Sequence, residues 1–422
     1  TNGFSPLLFP QGRKAYPQRK GNHMKERLAN RIHQMTPSAT VELAGKIAQL
    51  KSQGVDVISF SVGEPDFETP QNICRAAKQA IDDGYTKYTA AAGLEPVRQR
   101  ICKKLLDDNG LSYTPDQIII CTGAKQALYN AFMTICNPGD EVILPAPCWV
   151  SYMEIIKLAG GVPVLVPCTQ ENGFQPRIQD LRAAVTDRTA AILFSSPNNP
   201  TGAVYSRELL TEIGRLAVER DLFVVSDEIY EALVYDDARH HSVAALCPEI
   251  KDRCIVINGV SKTYAMTGWR VGYAAGHRDV IKAMCSLQGH MTSNTAAMNQ
   301  LACLEALQGP QDTVTRMHDE YARRRRYMID RLNAMPGVHC PEAKGAFYTF
   351  PHVAALYGKS DGSRVIRNSS DLAAYLLEES HVAVVPGVAF QAPEHLRLTY
   401  ASSMENIVEG MDRMEKALSR LH

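Results

Sequence analysis

A lysine at position 262 is the residue of this sequence best suited to covalent chemistry. It follows the apolar run 255–257 and stands among small and apolar neighbours in the stretch SKTYAM, residues 261–266. Such surroundings lower the pKa of an amine and permit Schiff-base chemistry. Ser261 and Arg270, the latter eight residues beyond the lysine, are suited to holding a phosphate group. Taken alone, the stretch is equally compatible with a surface lysine in a loop.

An aspartate lies directly after a neighbouring apolar run. In the stretch LFVVSDEIY (222–230), Asp227 follows four apolar residues and a serine, and Tyr230 comes about one helical turn later. An aspartate at this place is often only the N-cap of the next helix. The alternative is that Asp227, partly buried at a strand end, pairs with a cationic ring nitrogen and keeps it protonated, with Tyr230 in the same site.

Further stretches place residues of useful chemistry at the end of an apolar run. Asn199 lies in a turn rich in Pro and Asn, from which its amide could reach a cofactor oxygen. Gly123 and Ala124 open a helix, either as an ordinary tight turn or as an anion site built from free backbone N–H groups. Trp149 is either a core residue or a stacking surface for a flat ring. Arg397 lies on an alternating segment and is either solvated or a fork for a substrate carboxylate.

Two charged features receive purely structural interpretations. Residues 323–326 are four arginines in a predicted helix that also holds Glu320 and Asp330, so we expect a solvated, paired helix face. His240 and His241 have no second pair of ligands nearby in the sequence, and we therefore predict no metal site.

Seven apolar runs must position the residues that could do chemistry. Each is short and continuous rather than alternating, and each precedes a polar turn. Such runs predict strands buried on both faces, hence a mainly parallel α/β sheet sandwiched by helices. Ligands of such sheets bind beyond the carboxyl ends of the strands, which is where most of the residues above are found. The runs are 118–120, 142–144, 162–166, 190–194, 222–225, 255–257 and 271–275.

The two ends of the chain predict a smaller α+β domain. Residues 311–333 are typical of one long charged helix, and the segment near 40–53 is also helix-like. Short strand-like runs follow the long helix at 346–350, 382–385 and 396–400.

The proposed domain division follows from these differences in composition and predicted secondary structure along the chain. Residues 1–23 hold four Lys and Arg residues and three prolines but no acid. Since the chain does not begin with Met, we interpret them as a leader or an expression-derived segment before a natural start at Met24, and give them no part in the fold. Residues 24–70 would form an N-terminal arm and part of the small domain, 71–308 the large domain and 309–422 the small C-terminal domain.

The composition argues against several classes of function. In 422 residues, 45 Lys and Arg balance 45 Asp and Glu, which leaves no basic footprint for nucleic acid or an anionic membrane. The sequence holds no run of 18 or more consecutive apolar residues, so we predict no transmembrane helix. Eleven cysteines are scattered singly without a CxxC pair, which is typical of reduced thiols in a cytoplasmic enzyme.

Taken together, these stretches resemble the aspartate aminotransferase family, class I aminotransferases of the type I fold that use pyridoxal 5′-phosphate (PLP). The resemblance runs from about Met24 to the C-terminus, in order and without large gaps. It is similar in particular to a bacterial-type subgroup that also includes prephenate aminotransferases. The resemblance implies an α/β type I fold whose large domain, residues 71–308, binds PLP.

The resemblance also implies roles around the cofactor ring. Lys262 would bind the cofactor covalently and move the proton between the substrate α carbon and the cofactor C4′. Asp227 would pair with the ring nitrogen and preserve the ring as an electron sink. Tyr230 and Asn199 would hydrogen-bond the ring 3′ oxygen, and Trp149 would stack on the ring. Both Asn199 and Trp149 would also contact the substrate.

The cofactor phosphate has its own implied set of residues. Ser261, Arg270 and the backbone of Gly123 and Ala124 would hold it. Tyr88 matches a tyrosine that reaches the phosphate of the neighbouring subunit, which implies a homodimer with shared active sites.

The remaining matches concern the substrate. Arg397 would bind the α-carboxylate, and Gly63 would contact the same group through its backbone. Lys125 and Thr40 resemble a pair that reads the side-chain carboxylate in the bacterial-type subgroup. This favours L-aspartate as the amino donor and 2-oxoglutarate as the acceptor, in a ping-pong reaction that gives oxaloacetate and L-glutamate.

Three alternatives stay open. The first is a prephenate, aromatic or broad-specificity aminotransferase on the same scaffold. The second is a ring-forming lyase such as aminocyclopropane-carboxylate synthase, which would share the cofactor motifs. The third is a regulatory protein that keeps an aminotransferase-like domain, which the missing basic footprint disfavours.

Overall fold

All seven predicted runs form strands of one central sheet. The computed structural model describes residues 27–36 and 39–422, and of residues 39 and 40 only the backbone. The strands of the described chain are β1 (Ile58–Ser59), β2 (Ile118–Cys121), β3 (Glu141–Ala146), β4 (Val162–Pro167), β5 (Thr189–Ser195), β6 (Phe223–Asp227), β7 (Cys254–Gly259), β8 (Gly272–Ala275), β9 (Tyr348–Thr349), β10 (Val382–Ala383), β11 (Val385–Pro386) and β12 (Leu396–Thr399).

Helices surround these strands. They are α1 (Asn30–His33), α2 (Ala39–Ser52), α3 (Gln71–Asp82), α4 (Glu95–Asn109), α5 (Ala124–Ile135), α6 (Ser151–Leu158), α7 (Ile178–Ala183), α8 (Arg207–Glu219), α9 (Val243–Leu246), α10 (Arg278–Met291), α11 (Ala297–Gln308), α12 (Asp312–Ala334), α13 (Ser369–Glu379) and α14 (Met404–Leu418). Within the described ranges, none of them is both long and apolar enough to cross a membrane.

The central sheet has the strand order β2-β8-β7-β6-β5-β3-β4. Strands β3 to β7 pair in parallel, and β8 is antiparallel to both of its neighbours. The prediction of a mainly parallel α/β sheet is therefore confirmed. Since β2 and β7 run antiparallel to the same strand, all strands other than β8 end at one edge of the sheet.

The sheet is covered on both faces. Ile118 and Ile120 of β2 belong to an apolar cluster with residues of α3, α4, α8 and α11. Ile119 and Cys121, which point to the other face, belong to a second cluster with residues of α5, α6 and α10. This alternation explains why the run is continuously apolar, because both faces of each central strand are dry.

Strand β4 departs from the prediction. Of its six residues only Val166 is buried. The expectation of burial on both faces is wrong for this edge strand, although it is right for β2 at the opposite edge, whose four residues are all buried.

Residues 58–60 and the C-terminal part of the chain meet in a second structured region. The predicted long helix is α12, and the predicted strands are β9 to β12, each shorter than the apolar run that predicts it. Ile58 of β1 pairs in parallel with Val382 of β10, while β9, β11 and β12 form a three-stranded sheet. Ile58 and Phe60 share an apolar cluster with residues of α12, α13 and α14. The domain boundaries proposed at 70/71 and 308/309 stay a prediction.

The chain groups into residues 1–36 and residues 37–422. Of the first group the structure describes residues 27–36, which hold the short helix α1. The proposed leader, residues 1–23, lies outside the described residues. All site residues discussed below belong to the second group.

Candidate active site

The carboxyl ends of the parallel strands surround a cavity of about 410 Å³. This volume lies in the usual range for sites that bind small molecules. The sheet topology explains why residues from distant parts of the sequence line one cavity, because residues that follow different parallel strands meet at the same edge of the sheet. Eleven residues singled out in the sequence line the cavity: Gly63, Ala124, Lys125, Trp149, Asn199, Asp227, Tyr230, Ser261, Lys262, Arg270 and Arg397.

Lys262 follows β7 and brings its amine to the cavity. Its Nζ donates a hydrogen bond to the carbonyl oxygen of Gly63 at 2.6 Å and lies 5.8 Å from the ring centre of Tyr230. Burial lowers the pKa of this amine to about 8, with the carboxylate of Glu64 opposing the shift and Arg397 adding to it. Far more of this amine than of an ordinary lysine is therefore neutral and nucleophilic near neutral pH.

Asp227 ends β6 and is 4% exposed. The hydroxyl of Tyr152 donates to its Oδ2 at 2.6 Å, and the backbone N–H of Ile229 donates to its Oδ1 at 3.2 Å. Burial raises the pKa of Asp227 to about 6, against these two hydrogen bonds, which lower it. The carboxylate thus accepts a hydrogen bond from the following turn and also lines the cavity. Its interpretation as a helix N-cap is wrong, because no helix begins there and the next helix of the described chain is α9.

An anion site lies at the start of α5. Gly123 is the N-cap of this helix, and its φ of +79° favours glycine. A Cβ on Gly123 would lie 2.3 Å from Nη2 of Arg270, so the guanidinium packs directly against the turn. Arg270 donates from Nη1 to the carbonyl of Thr267 at 2.9 Å. Free N–H groups at Ala124, this guanidinium and the Ser261 hydroxyl together suit a phosphate.

Arg397 lies on β12 and is 3% exposed. It donates from Nη1 to Oδ1 of Asn199 at 3.2 Å and from Nη2 to the carbonyl of Ser61 at 2.6 Å. Its guanidinium also lies over the rings of Tyr348 and Phe390, at 4.6 and 4.9 Å. No carboxylate of the described chain lowers the cost of burying it, and its Nε is buried without a partner. A solvated Arg397 is therefore excluded, and a buried unpaired guanidinium is a site for an anion.

Lys125 and Trp149 lie together in the cavity wall. Nζ of Lys125 is 4.7 Å from the ring centre of Trp149. Burial lowers the pKa of the Lys125 amine, and Arg270 adds to the shift. The Trp149 ring stands at 89° to the ring of Tyr152, with centroids 5.3 Å apart. Tyr152 thereby links the tryptophan to Asp227.

Of the residues singled out in the sequence, Tyr88 lies away from this cavity. Tyr88 lies in a separate depression with Lys87 and Arg98 and is 89% exposed. The side chain of Thr40 lies outside the described residues. Its backbone belongs to α2, whose Ala44 lines the cavity. The roles implied for Tyr88 and Thr40 stay predictions.

Two tyrosines of the cavity, Tyr152 and Tyr348, were not among the predicted site residues. Tyr152 comes three residues after Trp149 at the start of a helix, and that spacing was a usable signal. Tyr348 carries no local signal, because it reaches the site only through the pairing of β9 with β12.

A buried ionic cluster lies next to the Asp227 segment. Nε2 of His240 is 3.1 Å from Oε2 of Glu228 and 4.0 Å from Oε2 of Glu231. The argument that His240 lacks nearby partners is therefore wrong, because the fold brings these carboxylates to it. Lys104 forms an ion pair with Glu231 and so already supplies a cation to this cluster. The absence of a metal stays a prediction.

Comparison with known proteins agrees with this arrangement. A sequence model of the class I and II aminotransferases matches residues 55–414. The chain belongs to this family. It is therefore an aminotransferase, and the cavity that holds Lys262 is its candidate active site.

Similar aminotransferases match over nearly their full length. The chain is 46% identical to an aspartate aminotransferase of Bacillus sp. strain YM-2 over 93% of this chain and 99% of that protein. It is 48% identical to an aspartate aminotransferase of Streptomyces avermitilis over 94% and 97%. It is 44% identical to an aspartate/prephenate aminotransferase of Cereibacter sphaeroides over 92% and 98%. The crystal structure of the Rhizobium meliloti aspartate aminotransferase matches this aminotransferase with a TM-score of 0.91 and 41% identity, over 94% and 99%.

Proposed function

We propose that this aminotransferase uses PLP to transfer the amino group of L-aspartate to 2-oxoglutarate. The observation that carries the proposal is the pair of cations, Arg397 and Lys125, in the cavity that holds the amine of Lys262. Neither cation has an acid among the groups that shift its pKa in the described chain. A dicarboxylate with an α-amino group would neutralise both cations, and the named activity of the similar aspartate aminotransferases supports the same substrate.

The residues of the cavity fit PLP. A dianionic phosphate suits the N–H groups at the start of α5 together with Arg270 and Ser261. Gly123 leaves free the space that a Cβ would take from the guanidinium. A cationic ring nitrogen would stabilise the charged form of the buried Asp227 carboxylate. The neutral form of the Lys262 amine is the form that attacks an aldehyde.

Bound PLP would supply an aldehyde for the substrate amine and a ring that accepts electrons from the α carbon. The chain's own residues then decide which bond of the substrate reacts. Arg397 would hold the α-carboxylate in a bidentate contact while Lys125 holds the side-chain carboxylate. With both ends fixed, the C–H bond at the α carbon is oriented towards the Lys262 amine.

Lys262 would move the proton. Its amine has a pKa near 8, so it can both accept and return a proton at neutral pH. The carbonyl of Gly63 accepts a hydrogen bond from this amine and holds it at the cavity wall. Asp227 would stay ionised opposite the ring nitrogen, and Tyr230 would donate to the ring 3′ oxygen.

The first test is an absorbance measurement on the purified PLP-loaded protein without an acceptor acid. Aspartate, glutamate, arogenate, phenylalanine and alanine are added separately. We expect aspartate and glutamate to convert the absorbance of the aldehyde form of the cofactor into that of the amine form. Alanine and phenylalanine should react far more slowly. A protein that binds no PLP, or that reacts with none of the five, would contradict the proposal.

A second test asks whether Lys125 reads the side-chain carboxylate. Lys125→Ala should raise the KM for aspartate at least about tenfold, because one charge-assisted contact is lost, and should change the KM for alanine little. Lys103→Ala, on the exposed face of α4, is the matched control. Equal effects of Lys125→Ala on both substrates would remove the argument for a dicarboxylate.

A prephenate aminotransferase is the alternative on the same site. The Cereibacter sphaeroides relative is named for both activities, and here Lys125 lies over the ring of Trp149, so a carboxylate and an apolar ring could be read side by side. Reaction with arogenate in the absorbance test, at a rate comparable to aspartate, would widen the proposal to both substrates.

We further propose a homodimer with shared active sites. The support is Tyr88, whose side chain is 89% exposed and lies outside the cavity of its own protomer. Lys262→Ala and Tyr88→Ala proteins should each have low activity, whereas a mixed dimer should regain one intact site. Activity that does not return after the two proteins are denatured and refolded together would contradict shared sites.

A cytoplasmic location is part of the same proposal. All eleven cysteines are free thiols, which suits a reducing compartment. Fractionation of cells that express the protein tests this, and recovery from an oxidising compartment with disulfides formed would contradict it.

A further inference from the structure

Tyr348 contacts three parts of the candidate site that the sequence treats separately. It is 1% exposed and lines the cavity. Its hydroxyl lies 2.8 Å from the hydroxyl of Tyr230, and its ring centre lies 4.6 Å from Cζ of Arg397. A Cβ on Gly63 would lie only 2.6 Å from the same hydroxyl.

We propose that Tyr348 is a positioning residue that fixes Arg397 and Tyr230 relative to each other, so that the substrate carboxylate and the cofactor ring meet in one geometry. The inference rests on the proposed function, in which Arg397 binds the carboxylate and Tyr230 faces the ring oxygen. Tyr348 itself need not touch a reacting atom.

The proposed function assigns a direction to the hydrogen bond between the two phenols, in which either oxygen could be the donor. Burial raises the pKa of both Tyr230 and Tyr348, so both keep their protons at neutral pH. If Tyr230 donates a hydrogen bond to the ring oxygen, its own oxygen is left to accept one from the Tyr348 hydroxyl. A hydroxyl that accepts a hydrogen bond becomes a stronger donor. Tyr348 would therefore strengthen the contact of Tyr230 with the cofactor.

The ring of Tyr348 acts on the other side. Arg397 is buried without a carboxylate partner in the described chain, and the faces of Tyr348 and Phe390 partly replace its lost hydration. The rigid side chain of Tyr348 thus fixes the position of the Arg397 guanidinium and the direction in which the Tyr230 hydroxyl donates its hydrogen bond.

Two substitutions separate the hydroxyl from the ring. Tyr348→Phe should lower kcat for aspartate about fivefold to tenfold and leave KM within about twofold, because one hydrogen bond is lost and Arg397 keeps its contacts. Tyr348→Leu should also raise KM, by at least about threefold, because the ring over the guanidinium is gone.

Absorbance of the bound cofactor gives a readout that a merely structural role would not move. With a weaker donor at Tyr230, more negative charge stays on the ring oxygen. The absorbance of the bound cofactor changes with pH, and the midpoint of this change, the pH at which half of it has occurred, should therefore rise by about half a pH unit in Tyr348→Phe. The matched control is Tyr400→Phe, which removes a buried hydroxyl that donates to the carbonyl of Ala346 at 3.0 Å outside the cavity. This control should change neither kcat nor the midpoint.

A double-mutant cycle in the cofactor-free protein tests the close contact between the Tyr348 hydroxyl and Gly63. Gly63→Ala should lower the free energy of unfolding in the parent, because its Cβ would collide with the Tyr348 hydroxyl. In the Tyr348→Phe background the nearest ring atom, Cζ, would be 3.6 Å away, so the loss should largely disappear.

The outcomes distinguish the inference from the proposed function. Additive effects in the cycle, or Tyr348→Phe behaving like Tyr400→Phe in kinetics and midpoint, would overturn the role of Tyr348 even if the parent transaminates aspartate. A parent that does not transaminate would overturn the proposed function, while the cycle would still report on the contact.

Discussion

Burial shifts the pKa of two cavity residues, Lys262 and Asp227, and the two shifts serve different chemical purposes. Burial disfavours the charged form of each group. More of the Lys262 amine is therefore neutral and nucleophilic, and the Asp227 carboxylate is less stable as an anion. The first effect serves reaction with an aldehyde, and the second reserves a place for a cationic ring nitrogen. The small and apolar neighbours of Lys262 in the sequence already indicate the first effect.

The pKa of Lys262 predicts the pH dependence of cofactor attachment. The neutral amine is the reactive form, so the rate of covalent PLP attachment to the cofactor-free protein should rise with pH and level off above about 8. Stopped-flow absorbance between pH 6 and 10 measures it, and Lys262→Ala, which can bind PLP only without a covalent bond, provides the baseline. A rate that still rises tenfold per pH unit above pH 9 would contradict a shifted amine.

The pKa of Asp227 predicts a stabilising substitution that abolishes activity. Its rise from 3.8 to about 6 means that the folded, cofactor-free protein is destabilised by about 3 kcal/mol at pH values above 6. The penalty falls as the pH drops through 6 and vanishes below 3.8, where the group is protonated in both the folded and the unfolded state. Asp227→Asn should therefore unfold at higher urea concentration at pH 8 but not at pH 4.

The control for this substitution is an exposed aspartate. Asp187→Asn should change the free energy of unfolding by less than about 0.5 kcal/mol at either pH. A stability gain for Asp227→Asn that is the same at pH 8 and pH 4 would show that its charge is not the cause.

At the scale of elements, the anion site depends on how closely helix α5 approaches strand β8. A Cβ on Gly272 would lie 2.3 Å from the backbone nitrogen of Ala124 and 2.6 Å from the carbonyl carbon of Gly123. The neighbour is backbone rather than a flexible side chain, so it cannot move without shifting the first turn of the helix. Glycine at 272 therefore places the N–H groups that would face the phosphate.

Gly272→Ala should accordingly weaken PLP binding by at least about tenfold, because the first turn of α5 must move away from Arg270. Retention of PLP during dialysis and fluorescence titration of the cofactor-free protein measure it. Gly268→Ala is the matched control, because a Cβ there meets no atom within 4 Å. Equal affinity of the two variants would show that the helix start does not hold the phosphate.

At the scale of the whole molecule, a mostly buried ion pair joins distant parts of the chain. Nη1 of Arg324 on α12 donates to both carboxylate oxygens of Asp66, at 2.8 and 2.9 Å. The Arg324 side chain is 7% exposed and also donates from Nε to Glu320 at 2.8 Å. Asp66 follows Gly63 closely in sequence, so the pair ties the loop that contacts Lys262 to the long helix α12.

Asp66→Asn should lower the free energy of unfolding by about 1 to 3 kcal/mol, because a buried guanidinium loses one of its two carboxylates. Urea unfolding of the cofactor-free protein measures the loss. Asp107→Asn, which breaks the exposed pair with Lys103 on α4, should cost less than about 0.5 kcal/mol. If the two substitutions cost the same, the pair on α12 contributes no more than a surface contact.

The interpretation of the arginines at 323–326 shows a limit of sequence reasoning. Pairing was expected and is observed, but Arg324 and Arg325 are 6% and 1% exposed rather than solvated. Arg325 pairs with Asp236, which precedes it by 89 residues. Helical spacing shows which residues share a face of α12, and it gives no information on what distant segment covers that face.

By itself, the sequence determined the parallel sheet and most of the cavity residues. Continuous apolar runs are dictated by burial on both faces, and residues that follow parallel strands must meet at one edge. Local pattern therefore placed Lys262, Asp227 and Asn199 at the same edge of the sheet, and the family resemblance implied their roles. The tertiary structure decided the rest. The burial of Arg397, the partners of His240 and the place of Tyr348 depend on contacts between segments far apart in sequence, and no local spacing encodes which groups will lose their water.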